Sequence, residues 1–185
     1  MTDPLTLQPL DDAHWPEALA DMRTGFAGGL NVYRTMAHHP ALLRAWAGLR
    51  DHVVVRTTLG RELSEVAILR TGVRLGSSYE WSQHVARARK CGLTDARIGT
   101  IRGAPEAMAP VDGLIARAVD ELFDASRLTP ATAADLAGAV GKDGILDLMA
   151  TVGFYSTLGF ILNTFATPLD DDIAAELAAR PFEPD

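Results

Sequence analysis

A chain of 185 residues suits one domain, long enough to bury a core without disulfide support. Its 17 Lys and Arg stand against 24 Asp and Glu, a formal charge of −7, so no broad cationic footprint is available and a nucleic-acid partner is disfavoured. An anionic ligand would need a local group of arginines to overcome the overall field. The single cysteine makes no internal disulfide, and Met1-Thr2-Asp3-Pro4 lacks the basic-then-apolar build of a signal peptide, which together favour a cytoplasmic location.

The pattern is helical throughout. Residues 11–23 read as a first helix capped by Asp11 or Asp12, followed by a Gly25–Gly29 loop and a short helix over Val32–Ala37. Pro40 opens the next helix, whose apolar face is Leu42, Leu43, Trp46, Leu49, Val53 and Val54. Another follows Gly60 and stops at Gly76; residues 78–90 return beside it and close at Gly92. Thr94 or Asp95 caps a short helix ending near Gly103, and Pro105–Pro110 is a linker. Helices over 111–126 and 131–139 come next, then an apolar one over 143–165 and a short one over 170–179. The tail Arg180–Asp185 packs loosely or against a partner. The chain thus divides into N-terminal helices (1–58), a central hairpin with its short helix (61–103) and C-terminal helices (111–185), all in a single domain, 1–185.

Ile145–Phe165 is apolar nearly all round, but Asp147, Thr151, Ser156, Thr157, Asn163 and Thr164 interrupt it, so no membrane span is expected. Such a helix must be covered by the core or by a second subunit.

The chemistry concentrates in the hairpin. Glu65 lies 11 residues before Gly76 and His84 lies 8 after it, roughly 16 Å and 12 Å from the apex at ~1.5 Å per residue, so the two are nearly level. A carboxylate facing an imidazole fixes its tautomer and raises its basicity. Ser77, Glu80 and His84 share one face of the second helix. Ser77-x-x-Glu80 equally suits a capping box, Tyr79 and Trp81 suit packing, and Arg70 and Arg74 suit a solvated pair or a carboxylate seat. His38-His39 has no third ligand at a diagnostic spacing, so no metal and no cofactor are expected. Cys91 reads as a small buried apolar residue.

The stretch EVAILRTGVRLGSSYEWSQHVARARKCGLTDARIGT, Glu65 to Thr100, resembles the carboxymuconolactone decarboxylase-like superfamily, which includes alkyl hydroperoxidase D. Asn31 to Pro40 with Leu42-Leu43 resembles the lead-in helices of that group, and Tyr155-Ser156 an aromatic–cysteine pair of the decarboxylases. The resemblance implies an all-α, alkyl hydroperoxidase D-like helical bundle with a central antiparallel hairpin. It also implies a homo-oligomer, whether trimer, hexamer or dimer. Glu65 and His84 match the glutamate and histidine of the peroxidase proton relay, while Ser77 and Glu80 stand where its C-x-x-C pair begins and ends. Serine and glutamate supply no thiol, which disfavours a dithiol peroxidase.

The resemblance points instead to a lyase-type enzyme acting on a small carboxylated lactone or ring acid. In it His84, oriented by Glu65, moves a proton, with Glu80 as a second acid/base group. Arg70 or Arg74 would seat the carboxylate, Tyr79 and Ser77 would donate to a developing enolate oxygen, and Tyr155 would line the ligand. The alternative is a non-catalytic member that binds a ligand or serves assembly.

Overall fold

A computed structural model describes residues 6–182; residues 1–5, with the Met1–Pro4 stretch, and 183–185, the end of the tail, lie outside the described residues. Every regular element among the described residues is helical. The helix expected over 11–23 does not form. Asp11 accepts from the His14 backbone N–H at 2.9 Å in a local turn, and after Pro16 only a 3-10 segment appears, Glu17–Met22, broken at Leu19. Local side-chain hydrogen bonding and proline override the apolar spacing there.

One turn of helix, α1 (Phe26–Gly29), replaces the expected glycine loop and leads to α2 (Asn31–Met36). In α3 (Pro40–Asp51) the His39 ring caps the first turn, accepting from the Leu42 N–H at 3.4 Å. The chain then widens into a π-type turn, His52–Arg56, a geometry frequent beside functional sites. Buried Asp147 pins it, accepting from His52 Nε2 (2.6 Å), the Thr58 N–H (2.6 Å) and Thr58 Oγ1 (2.8 Å).

The central hairpin is α4 (Gly60–Leu75) and α5 (Ser78–Cys91). Gly76 terminates α4 at φ 61°, a left-handed conformation that glycine takes without steric cost. Ser77 then caps α5, its Oγ accepting from the Glu80 N–H at 3.4 Å. The reciprocal half of a capping box is missing, because the Ser77 N–H donates to the Gly72 carbonyl (3.0 Å) and the Glu80 carboxyl turns inward. Gly72 permits the close approach: a Cβ there would lie 3.4 Å from the Glu80 Cβ.

Thr94, not Asp95, caps α6 (Asp95–Thr100), while Asp95 pairs with Arg89 at 2.7 Å. A 3-10 turn, Pro105–Ala107, precedes α7 (Pro110–Ala125). The helices expected over 131–139 and 143–165 are two halves of α8 (Pro130–Phe165), joined through Gly141 at φ 73° and ψ 178°. The last element is α9 (Asp171–Ala179).

α4 lies at the centre, packed on α5, α7 and α8. One apolar cluster joins Val66, Leu69, Val85, Ile98, Ile115, Val119, Leu148 and Val152; a second joins Leu19, Val32, Met36, Leu43, Ile68, Phe154, Leu158 and Leu162. Each such side chain contributes roughly 1.5–3 kcal/mol by leaving water. By length and composition α8 is apolar enough to cross a membrane, but half of its most apolar window is buried within the protein. Its outward face leaves Leu146, Met149 and Phe160 exposed.

Candidate active site

The hairpin places its polar residues between the second apolar cluster and a surface cleft. Glu65 on α4 and His84 on α5 face each other, both buried, with Oε2 2.6 Å from Nδ1. A carboxylate at Nδ1 favours the tautomer with hydrogen on that nitrogen and leaves the Nε2 lone pair free. Nε2 lies 3.5 Å from Oε2 of Glu80, one turn back along α5. The other Glu80 oxygen, Oε1, is buried with no hydrogen-bond partner among the described residues. On the far side, Arg87 Nε approaches Glu65 Oε1 at 3.6 Å. Tyr155 of α8 packs its ring against the imidazole in a T-shaped arrangement, with centroids 4.9 Å apart and planes at 88°.

Burial divides the two inner groups. It drives the Glu80 carboxyl up to about 8, with Arg87 opposing and Glu65 reinforcing the rise. It also pushes His84 below the ordinary imidazole value, although Glu65 pulls the other way. Near neutrality the pair is a carboxylic acid facing a neutral imidazole, an arrangement able to give and take a proton without a net buried charge. Burial likewise raises the Tyr155 and Tyr33 hydroxyls, so both remain protonated.

Two cavities meet here. The inner chamber is tight, about 20 Å³, and includes Tyr33, Arg50, Glu80, His84, Arg87 and Tyr155 in its wall. A cleft of about 310 Å³ adjoins it, walled by Val54, Val55, Thr57, Gly60, Arg61, Ser64, Glu65, Ile68, Arg87, Lys90 and Cys91. Arg87 and Val54 belong to both.

Residues 40–121 match the family model of the carboxymuconolactone decarboxylase family. The same helical arrangement occurs in the alkylhydroperoxidase AhpD core of an uncharacterized peroxidase-related protein from Ralstonia eutropha JMP134 (TM-score 0.75, 18% identity, covering 92% of this chain and 96% of that one). The segment matched by the family model holds α4 and α5, and with them the Glu65–His84 pair. The fold is shared equally with the debrominase Bmp8 in its apo form, with TM-score 0.75 at 14% identity over 95% of this chain and 97% of that one. A cysteine-to-alanine variant of Bmp8 in complex with 2,3,4-tribromopyrrole superposes with TM-score 0.72 at 15% identity, over 96% and 98% of the two chains. A search of curated protein sequences gives no match.

Of the expected site residues, Glu65, Glu80 and His84 of the hairpin and Tyr155 of α8 come together. Tyr79 also lines the chamber, though its hydroxyl is engaged elsewhere, and Arg70, Arg74 and Ser77 are turned away from it. Arg70 spends its guanidinium on Asp120 (2.9 and 2.5 Å) and on the carbonyls of Ile101 and Gly103 (each 2.8 Å), so it is not a carboxylate seat. Arg74 pairs with Asp124 and Asp120. The opposing acids, both on α7, lie 46 to 50 positions away and carry no local signal. The Tyr79 hydroxyl donates to buried Asp170 at 2.5 Å, alongside Gln83 and the Asn31 N–H, tying α5 to α2 and α9. Ser77 faces a separate shallow cleft with Trp81, Ser82 and Arg102 rather than the His84 chamber.

Three residues beyond those expectations complete the site: Tyr33, Arg50 and Arg87. Arg87 was legible, since Glu80, His84, Arg87 and Cys91 stand at i, i+4, i+7 and i+11 on one face of α5. Tyr33 and Arg50 arrive from distant helices. Cys91 is half-buried in the outer cleft wall, not enclosed in the core. His38 Nε2 contacts the Gln8 carbonyl at 2.8 Å, and the described residues hold no group of three or more His, Cys, Asp and Glu able to bind a metal.

Proposed function

We propose that this protein is a non-redox proton-transfer enzyme of the decarboxylase or lyase type, acting on a small carboxylated lactone or ring acid. The observation that carries the reading is the run Glu65–His84–Glu80, ending on an unpartnered Glu80 oxygen at the chamber. As a C–COO⁻ bond breaks, carbon dioxide leaves and its electron pair passes into the adjoining unsaturated system. A proton must then reach a ring carbon. Glu80, kept neutral by burial, supplies it, and His84, held by Glu65, accepts a proton at Nε2 from substrate or solvent and passes it to the Glu80 carboxylate left behind. The Tyr155 ring packs against the imidazole, and its hydroxyl, kept protonated by burial, would donate to an enolate oxygen. The fold neighbour in complex with 2,3,4-tribromopyrrole holds a small ring compound.

Peroxide reduction through a dithiol cycle does not suit the chain, because its single cysteine has no partner to form and resolve a disulfide. A second reading, as a ligand-binding member without turnover, draws on the inner chamber, which at about 20 Å³ holds a water but no substrate until a wall moves. Assay of carbon dioxide release and ring-proton exchange from a panel of carboxylated lactones separates the two. Turnover abolished by His84→Ala supports the enzyme; saturable binding with neither release nor exchange favours the second reading.

A further inference from the structure

Outside the Glu65–His84–Glu80 run the site carries cations that its catalytic groups do not use. Arg87 has no hydrogen-bond partner among the described residues, only the 3.6 Å approach to Glu65, and it stands in the wall shared by the two cavities. Arg61 lines the outer cleft from the first turn of α4, exposed and without an ion-pair partner among the described residues. Lys90 lines it too, but its ammonium is held by Glu176 at 2.7 Å. The one carboxylate in the wall, Glu65, is already engaged by His84 and Arg87. A locally cationic cleft in a chain of net charge −7 runs against the overall field, so its sign is a property of the cleft itself.

We infer that the outer cleft is the recruitment site for a carboxylate-bearing ligand, with Arg61 at its mouth and Arg87 as the guanidinium that hands the anion to the His84 chamber. The fork of Arg87 suits a carboxylate bidentately, whereas its present contact with Glu65 is long and single. Exchange of Glu65 for a ligand carboxylate moves the side chain that stands between cleft and chamber. Recruitment depends on the proposed catalytic reading only for the fate of the ligand at His84. Burial works against the Arg87 charge, yet Tyr155, Glu65, Tyr33 and Cys91 around it keep its pKa above the ordinary arginine value, so the cation persists at any working pH.

Cys91 provides the readout. It lines the same cleft and is the only cysteine, so alkylation at sulfur reports on this site alone. The test compares iodoacetate, itself a small carboxylate, with neutral iodoacetamide; in both, the thiolate displaces iodide and forms a thioether. With the rate ratio for glutathione as reference, Cys91 should favour iodoacetate by at least about threefold at low salt, and the preference should fade as salt screens it. Arg61→Gln and Arg87→Gln should each reduce it, Arg87→Lys should restore part of it, and benzoate should protect Cys91 where benzamide does not. A wild-type ratio equal to that of glutathione, or a preference unmoved by either arginine substitution, would overturn the inference. His84→Ala must keep the preference. If the preference stands while no carboxylated acid is turned over, the seat survives and the catalytic reading falls.

Discussion

Oε2 of Glu65 and Nδ1 of His84 meet at 2.6 Å across a hairpin whose turn is fixed by one glycine, Gly76. Neither residue is exposed, and each belongs to a helix packed on the core, so the pair is held by the fold rather than by its own hydrogen bond. Preorganisation of that kind is what a proton-transfer base requires.

Removal of the imidazole should therefore be costly to chemistry and tolerable to the fold. His84→Ala is expected to lower turnover of a carboxylated substrate by about 10²–10⁴-fold, the usual weight of one general acid/base group. Glu65→Gln should cost less, because it weakens orientation and basicity while the base stays in place. Steady-state kinetics, with circular dichroism as the control for folding, check both. An unchanged rate in His84→Ala removes the imidazole from the mechanism.

The hairpin was the legible part of the sequence, and for a physical reason. Gly76, Ser77 and the 3–4 spacing on either side are local signals, and the level of two residues comes from helical rise alone. What failed depends on partners remote in sequence. Nothing near Arg70 announces Asp120, and nothing near Tyr79 announces Asp170, yet those acids decide where the two side chains point. Arg50 and Tyr33 enter the chamber from α3 and α2 by tertiary packing that no local pattern encodes. In the first segment the error was local, since Asp11 and Pro16 marked a turn that the apolar spacing obscured.

Arg70 is accordingly a stability residue. Arg70→Gln leaves Asp120 short of its main partner in a largely buried setting and strands the carbonyls of Ile101 and Gly103. A loss of about 3–5 kcal/mol is expected in denaturant unfolding, as for other broken buried pairs. In protein that remains folded, KM should not change. A raised KM at unaltered stability would return Arg70 to the substrate site.

Ser77→Ala tests the cap in the same way. Loss of the oxygen that accepts from the Glu80 N–H should lower stability by about 0.5–2 kcal/mol, with turnover little affected at permissive temperature. The opposite pattern, intact melting temperature and lost turnover, would make Ser77 a catalytic residue.

We also propose that the outward face of α8 is a self-association seam. Leu146 and Phe160, 65% and 60% exposed, stand on it with Met149 and exposed Gly153, at intervals of three, four and seven residues. A rim of that spacing suits a second helix, and the glycine admits close approach. Sedimentation at micromolar concentration should show an oligomer, converted to monomer by Leu146→Glu with Phe160→Glu. A wild-type monomer would end the proposal.

The raised Glu80 carboxyl makes a prediction about pH that requires no substrate. Its ordinary value is 4.5 and burial lifts it to about 8 in the folded chain. Between those values the native state binds more protons than the unfolded state at this group, so its contribution to stability falls as pH rises. That contribution is complete below about pH 4.5 and is lost on passing through about pH 8. Glu80→Gln, which keeps the shape and cannot ionise, should remove this slope. Unfolding free energy measured from pH 5 to pH 8.5 should then decline more steeply in the wild type than in the variant, and the difference between them should grow with pH. His84 works in the reverse sense, because its value is lowered and its contribution is lost on acidification below the ordinary imidazole range; it is common to both proteins and cancels to first order. Turnover should track the same group, falling above about pH 8 as Glu80 loses the proton it must donate. Parallel stability curves for wild type and Glu80→Gln would mean that Glu80 is already ionised in the folded protein, and the acid in the proposed mechanism would have to be another residue.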